Sequence, residues 1–205
     1  MRVKVIDYKA GNLTSVLKAL HHLGAEAEVT DQPGPIASAE RIVLPGVGHF
    51  SATRRLDATG LTPAIREAIA RGVPFLGICV GMQWLYAGST EAPQQPGLGE
   101  FGDSCTRFPE GKEKIPHVGW NSLDTRPSSA LLHAVASGEY AYFTHAYRAP
   151  VTEDTVAVAR YIEPFAAAVE RGNVMGVQFH PEKSGPTGLR ILRNFLEWTP
   201  KGAAC

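Results

Sequence analysis

Apolar and polar positions follow two rhythms along the first half of the chain. Short, continuous apolar runs are typical of strands buried on both faces, and between them apolar residues recur every three or four positions, as on one face of a helix. Strands are predicted at residues 2–7, 25–30, 41–44 and from 73 onward, and helices at 13–24 and 62–70, the second with Thr62 as its N-cap. This alternation predicts a parallel, doubly wound sheet with functional loops at the carboxyl ends of its strands.

The second half of the chain has a different pattern, in which strand-like runs follow one another without helices between them. These runs occupy residues 119–124, 140–144, 155–160, 166–169 and 174–179. Short turns between consecutive strands predict antiparallel additions to the sheet. A final helix places Leu189, Leu192 and Phe195 on one face. The predicted fold class is therefore α/β, with a doubly wound, mostly parallel sheet and antiparallel additions in the C-terminal half.

Composition narrows the classes of function. The 205 residues are enough for one large domain, and 20 basic residues balance 20 acidic ones without a basic block that would favour nucleic acid. The sequence contains no apolar run of transmembrane length and no signal-peptide core. Three cysteines without paired spacing favour a reducing, cytoplasmic location over a disulfide framework. We predict one domain at residues 1–198 and a flexible tail at 199–205.

The stretch from residue 73 to 86 carries the strongest candidate for chemistry. Between its apolar start and the helical spacing of Met82, Leu85 and Tyr86 lies Gly-Ile-Cys-Val-Gly at 77–81. This is a G-x-C-x-G form of the nucleophile elbow, with cysteine in place of serine. Residues without a Cβ fit beside such a sharp turn, and the N-terminus of a following helix would favour thiolate over thiol at Cys79. The competing interpretation is that Cys79 is a small buried apolar residue after a core strand.

A histidine and a glutamate follow the predicted strand at 174–179. Pro181 biases His180 toward an extended conformation, in which residues i and i+2 point the same way. Glu182 is therefore expected to lie beside the His180 imidazole, orient it and favour its charged form. Alone, this pattern also fits a surface histidine and glutamate after an edge strand. With the Cys79 elbow it favours a set of nucleophile, base and orienting carboxylate.

The segment 45–48, Pro-Gly-Val-Gly, follows a neighbouring predicted strand. Its two glycines leave the backbone free to present N–H groups, which an oxyanion hole requires. A second donor usually comes from the residue after the nucleophile, here Val80. For this segment alone, an ordinary tight turn is the simpler explanation.

Two other features suggest weaker alternatives. His117 and His145 raise the idea of a metal site with His180, but no pair has the i, i+4 or C-x-x-C spacing of metal ligands, so no metal is predicted. Trp120 lies in a strand-like run, where an aromatic residue usually belongs to the core.

Several motifs, taken in order, resemble a known enzyme family. G-I-C-V-G-M-Q at 77–83, P-G-V-G at 45–48 and V-Q-F-H-P-E-K-S at 177–184 are similar to motifs of the class I, or triad, glutamine amidotransferases. Within that family the chain resembles the glutaminase subunits of imidazole glycerol phosphate synthases, which act in histidine biosynthesis. The narrower resemblance rests on Tyr8, G-N-L at 11–13, P-H-V-G-W-N at 116–121, Y-F-T-H at 142–145 and E-P-F at 163–165. It runs from Val3 to about Leu196 and implies a flavodoxin-like fold.

The resemblance implies a role for each matching residue. Cys79 would attack the carboxamide carbon of glutamine, His180 would accept the thiol proton and then protonate the leaving ammonia, and Glu182 would orient His180. A glutamyl thioester would form and be hydrolysed without a cofactor. The implied oxyanion donors are Gly46, Val47 and Val80; the implied substrate contacts are Gln83, Glu91, Ala146 and Tyr147; and the implied contacts to a (β/α)₈ cyclase that receives the ammonia are Asn12, Trp120, Asn121 and Tyr142.

Three departures from the family pattern involve four residues, and two other functions remain open. Lys9 and Ala10 stand where the family often has glycine next to Tyr8, so the interface loop is expected to pack differently. Val80 replaces a commoner leucine with little expected effect, whereas Ala146 replaces a serine or threonine and puts a side-chain contact to the substrate there in question. The open alternatives are a glutaminase serving pyridoxal phosphate or anthranilate synthesis and a non-catalytic binding module on the same sheet.

Overall fold

The structure, a computed structural model, describes residues 1–111 and 113–199. The strands within those residues are β1 (Arg2–Ile6), β2 (Glu26–Thr30), β3 (Arg41–Gly46), β4 (Phe75–Cys79), β5 (Gly88–Ser89), β6 (Ser104–Arg107), β7 (His117–Ser122), β8 (Asp124–Thr125), β9 (Tyr140–His145), β10 (Tyr147–Arg148), β11 (Thr155–Tyr161), β12 (Glu163–Arg171) and β13 (Val174–Val177). The α-helices are α1 (Leu13–His22), α2 (Arg54–Ala58), α3 (Leu61–Ala70), α4 (Val80–Gln83) and α5 (Gly185–Glu197).

An eight-stranded sheet organises the fold, in the order β2-β1-β3-β4-β13-β12-β11-β8. The strands from β2 to β13 in this order are parallel, and β12, β11 and β8 are added in antiparallel pairings. The predicted α/β class, with a mostly parallel sheet and antiparallel additions from the second half, is confirmed. β4 lies at the centre, and all five of its residues are buried, as its continuous apolar run predicts.

Two predicted strands lie outside this sheet. β7 and β9 pair only with each other as an antiparallel ribbon, and β5, β6 and β10 form a small three-stranded sheet. The ribbon alternates in burial, since Ala141, Phe143 and His145 are buried on β9 whereas Tyr140 is exposed. One face of the ribbon therefore covers the core and the other faces outward.

The predicted N-cap of α3 is wrong. The helix begins at Leu61, and Gly60 occupies the cap position with φ of 75° and ψ of 11°, a left-handed conformation that suits glycine. The Thr62 hydroxyl instead donates to the Asp57 carboxylate at 2.6 Å. The reason is that only Thr59 and Gly60 separate α2 from α3, so the sharp turn between the helices falls on the glycine.

Two expectations from the sequence concern a membrane-spanning segment and the C-terminal tail. Within residues 1–111 and 113–199, every helix is too short or too polar to traverse a lipid bilayer. The predicted flexible tail at 199–205 falls outside the described residues from position 200 onward.

Candidate active site

Cys79 lies at a strained turn between β4 and α4. Its φ of 55° and ψ of −110° are rarely adopted by a residue that carries a Cβ. The two flanking glycines have no room for a side chain, because a Cβ on Gly77 would overlap the backbone of Gly81, and one on Gly81 would overlap the carbonyl of Leu44 on β3. The turn predicted from G-x-C-x-G is therefore present, and it places the Cys79 sulfur at the carboxyl end of the central strand.

The helix after Cys79 is shorter than its spacing suggested. α4 spans only Val80–Gln83, and Leu85 and Tyr86 continue in tight turns, with backbone bonds to Met82 and Gln83. One helical turn carries little of the dipole that a long helix would supply. The expected stabilisation of a thiolate by the helix N-terminus is therefore reduced, and a neighbouring positive charge becomes more important.

His180, three residues after the end of β13, supplies that charge, and the Glu182 carboxylate pairs with it. The His180 Nδ1 lies 2.9 Å from Glu182 Oε1, and both side chains are about as buried as the core. His180 is extended, with φ of −99° and ψ of 96°, whereas Glu182 lies in a 3₁₀ turn at Pro181–Lys183. The backbone N–H of His180 also donates to the carbonyl of Tyr142 at 2.8 Å, which fixes the main chain at His180 to β9.

The imidazole of His180 is held in its charged form. Burial opposes the charge, but the Cys79 thiol and the Glu182 carboxylate beside the ring outweigh it and raise the pKa of His180 to about 9. Its Nε2, the nitrogen that Glu182 does not bind, is buried without a hydrogen-bond partner among the described residues. At neutral pH the ring therefore carries an N–H at Nε2, a donor that a thiolate nucleophile requires.

The glycine segment at 45–48 lies directly beside the sulfur. Gly46 is the register partner of Cys79 across β3 and β4, and a Cβ on Gly46 would overlap the Tyr8 hydroxyl and approach Val80 Cβ to 2.9 Å. The structure thus places Gly46 and Val80 beside Cys79, and Val47 follows Gly46 in the chain. The role of these three residues as oxyanion donors stays a prediction. The Tyr8 hydroxyl is buried without a partner among the described residues, and burial raises its pKa.

Glu91 binds the chain two residues after the glycine segment. Its Oε2 accepts a hydrogen bond of 2.7 Å from the backbone N–H of Phe50, which begins the 3₁₀ turn Phe50–Thr53. A residue expected to contact the substrate is therefore also tied to the chain that follows the predicted oxyanion donors.

Gln83 is fixed by the backbone of β10 and by the side chain of Gln178. Its Nε2 donates to the carbonyl of Tyr147 and to Gln178 Oε1, both at 3.0 Å. The carbonyl of Ala146 accepts from the Phe108 N–H at 3.0 Å. Both hydrogens of the Gln83 amide nitrogen are thus used, which leaves its carbonyl oxygen available as an acceptor.

Gln178 is a residue that the sequence analysis assigned no role. It is fully buried, and its Nε2 lies 3.6 Å from the Cys79 sulfur. A signal was present in the sequence, because a polar residue interrupts the apolar run at 174–179 two positions before His180, where extended chain places both side chains on one side.

Comparison with known proteins now identifies the family. Residues 4–198 match the family described as Glutamine amidotransferase class-I. The chain belongs to the class-I glutamine amidotransferase family. It is 46% identical over 198 residues to a Moorella thermoacetica protein named imidazole glycerol phosphate synthase subunit HisH, covering 95% of this chain and 94% of that one. A Deinococcus radiodurans protein of the same name is 43% identical over 197 residues, covering 94% and 92%.

Solved structures support the fold of this amidotransferase. A structure described as a glutamine amidotransferase has a TM-score of 0.75 at 22% identity, covering 95% of this chain and 97% of that one. The structure of PurLQS from Thermotoga maritima has a TM-score of 0.71 at 22% identity with the same coverage. At this level of identity the likeness concerns the fold alone.

The four residues implied to contact a partner differ in their exposure and in their hydrogen bonds. Trp120 is exposed, and its ring meets that of Tyr142 at 6.0 Å on the outward face of the ribbon. Asn121 is different, since its Nδ2 donates inward to the carbonyl of Arg160 at 2.9 Å. Asn12 precedes α1, and its Nδ2 donates to the Ser15 hydroxyl at 2.9 Å.

The two histidines considered for a metal site bind each other beneath this ribbon. His117 Nδ1 lies 3.1 Å from His145 Nε2, and burial lowers the pKa of His117 to about 4 and that of His145 to about 3. Both rings are therefore neutral at physiological pH. Within residues 1–111 and 113–199, no group of three or more histidine, cysteine, aspartate or glutamate side chains is placed so that it could hold a metal ion.

Proposed function

We propose that this amidotransferase is the glutaminase subunit of an imidazole glycerol phosphate synthase. It hydrolyses glutamine to glutamate and ammonia and passes the ammonia to a (β/α)₈ cyclase subunit. There a nucleotide intermediate is converted to imidazole glycerol phosphate and an aminoimidazole carboxamide ribotide, in histidine biosynthesis. The observation that carries this proposal is the 46% identity, over nearly the full length of both chains, to a relative named as a subunit of that synthase.

The first half of the proposed reaction transfers the glutamyl group to sulfur. The Cys79 thiolate attacks the carboxamide carbon, a C–S bond forms, and charge develops on the carboxamide oxygen. Backbone N–H groups of Val80 and of the Gly46–Val47 peptide stabilise that oxygen, a contribution worth roughly a hundredfold to a thousandfold in rate for one donor. The His180 imidazolium gives its proton to the nitrogen, the C–N bond breaks, and ammonia leaves a glutamyl thioester.

The second half restores the enzyme with one water molecule. Neutral His180 accepts a proton as water attacks the thioester carbon, so a C–O bond forms and the C–S bond breaks. Glutamate departs, and the thiolate and imidazolium are regenerated. Glu182, fixed 2.9 Å from His180 Nδ1, keeps Nε2 directed at the reacting atoms through both halves.

The α-amino acid end of glutamine would be held by groups around Gln83. Its carbonyl oxygen and the Glu91 carboxylate are acceptors suited to an ammonium group, and the backbone at Ala146 and Tyr147 lies beside Gln83. Because Ala146 has no polar side chain, contact at that position comes from the backbone alone.

The cyclase would bind the outward face of the β7–β9 ribbon. Val118, Trp120 and Tyr140 are large apolar residues exposed there, and the charge of Lys183 lies 5.9 Å from the centre of the Tyr142 ring. Aromatic residues surrounded by polar groups are characteristic of protein interfaces. Tyr142, on strand β9 of the same ribbon, accepts a hydrogen bond from the backbone N–H of His180. A partner on the outer face of the ribbon would therefore contact the strand that holds the backbone of the catalytic base.

A glutaminase assay with and without the cyclase tests this function. The account predicts slow ammonia release by the isolated chain, a clear increase when the cyclase and its nucleotide ligand are added, and no release by Cys79→Ala. Equal rates with and without the cyclase would reject dependence on the partner. Affinity capture that recovers a different synthase would favour a glutaminase of pyridoxal phosphate or anthranilate synthesis.

A further inference from the structure

We propose that Gln178 is a further catalytic residue of this site, whose side-chain N–H holds and stabilises the Cys79 thiolate. The inference rests on the proposed function, because it assumes that Cys79 is the nucleophile. Gln178 is completely buried, and its amide lies between two groups of the site, with Nε2 3.6 Å from the sulfur and Oε1 3.0 Å from Gln83 Nε2.

The direction of the Gln178 amide follows from a carbonyl group. The backbone oxygen of Tyr147 can only accept hydrogen bonds, and it lies 3.0 Å from the Gln83 amide and 2.8 Å from His145 Nδ1. Gln83 must therefore turn its NH₂ group toward Tyr147, and the second hydrogen of that group points to Gln178. Gln178 then has to present its oxygen to Gln83, so its own NH₂ group faces Cys79.

His145 fixes the other end of the same chain of hydrogen bonds. Because its Nδ1 must donate to Tyr147, its Nε2 is the acceptor of the 3.1 Å bond from His117 Nδ1. The pair is neutral and buried, so it does not titrate near neutral pH. A rigid, uncharged set of donors therefore keeps Gln178 in one orientation over the pH range in which the enzyme would work.

A donor fixed in this way distinguishes the two states of the sulfur. A thiolate accepts strongly from an N–H group, and a hydrogen bond to a charged group is roughly twice as strong as one between neutral groups. Another polar neighbour, the carbonyl of Thr144 at 4.0 Å, can only accept from a thiol and so favours the protonated form. Gln178 and His180 together oppose that carbonyl and the surrounding burial, which disfavours an anion.

The test is the pH profile with which Cys79 reacts with iodoacetamide, read by mass spectrometry of the peptide that contains it. In Gln178→Met the N–H is lost while length and volume are kept. We expect the midpoint of the profile to move up by about one pH unit, so that alkylation well below the midpoint slows about tenfold. An unchanged profile in a folded Gln178→Met protein would overturn the proposal.

Two further variants separate this role from general packing. Asn173→Leu removes another partly buried amide, one that donates to the carbonyls of Ile69 and Val73 at the opposite end of β4. It should lower the melting temperature and leave the alkylation profile where it is. If it moves the profile equally, the shift reports lost packing and the proposal fails.

Gln178→Asn gives a second reading should the methionine variant not fold. It keeps a buried amide but withdraws the N–H from the sulfur by one methylene, so the same upward shift is expected, and a normal profile would overturn the proposal. The result stays separate from the proposed function. A wild-type chain that releases no ammonia with the cyclase present would reject the function, whereas the alkylation comparison needs no glutamine.

Discussion

Replacing Glu182 by glutamine tests how the site controls the charge of His180. The carboxylate lies 2.9 Å from the ring in a buried pair, and its hydrogen bond and charge both raise the pKa of His180, which stands at about 9. An opposite charge at such a distance shifts a pKa by about 1–3 units. Glu182→Gln removes that charge and should therefore lower the pKa of His180 from about 9 to about 6–8. Burial, which by itself lowers the pKa of a histidine, acts in the same direction.

Such a fall in the pKa of His180 would strongly change the charge of its ring at the pH of the assay. At pH 8 a fall of about two units changes the ratio of imidazolium to imidazole about a hundredfold. The assay is an NMR titration of histidine labelled at Cε1, with the His180 signal assigned by its absence in His180→Asn.

A control and a refuting result complete the test of Glu182. Glu139→Gln removes a carboxylate that binds the Thr187 hydroxyl and the Ala136 N–H, so it should leave His180 unchanged. If Glu182→Gln leaves the titration of His180 in place, the carboxylate does not set the charge of the base.

The elbow, the buried imidazoles and the partner face each give one more prediction. Gly81→Ala drives a Cβ into a backbone carbonyl of β3 and should lower the free energy of unfolding, measured by urea titration, by about 1–3 kcal/mol. Gly34→Ala, which has open space around it, should change the free energy of unfolding by no more than about 0.5 kcal/mol, and equal effects would contradict the packing argument. His117 and His145 have lowered pKa values, so the stability they contribute is present above the ordinary value of about 6.5 and is lost as pH falls below it. Urea unfolding should show a loss of about 2 kcal/mol for each ring by pH 5, and constant stability between pH 6.5 and 5 would refute their burial as neutral rings. Trp120→Ala should weaken cyclase binding about thirtyfold in calorimetry with little change in melting temperature, and Trp120→Phe should recover most of the affinity; unchanged affinity in Trp120→Ala would remove the ribbon from the interface.

The parts of the fold that depend on backbone space could be predicted from sequence. Gly77 and Gly81 flank Cys79 because neither position has room for a Cβ, and that requirement is visible as G-x-C-x-G. The burial of β4 could likewise be predicted from its apolar run. Such features depend on residues close together in the chain, so a local pattern records them.

The parts that depend on contacts between distant residues could not be predicted. Gln83 and Gln178 are 95 positions apart and meet only because β4 and β13 are neighbours in the sheet. The length of α4 could not be predicted either. Met82, Leu85 and Tyr86 keep a helical spacing, although the helix ends at Gln83. Periodicity indicates which residues face the core, and packing decides where an element ends.

Chemical trapping of the glutamine site tests the central claim most directly. The assembled enzyme, this chain with the proposed cyclase subunit, would be treated with 6-diazo-5-oxo-L-norleucine, a glutamine analogue that alkylates nucleophiles, and examined by mass spectrometry. The account predicts one adduct per chain, located on Cys79, with loss of ammonia release in step with its formation. Full inactivation with Cys79 unmodified, or glutamine hydrolysis that persists in Cys79→Ala, would contradict it.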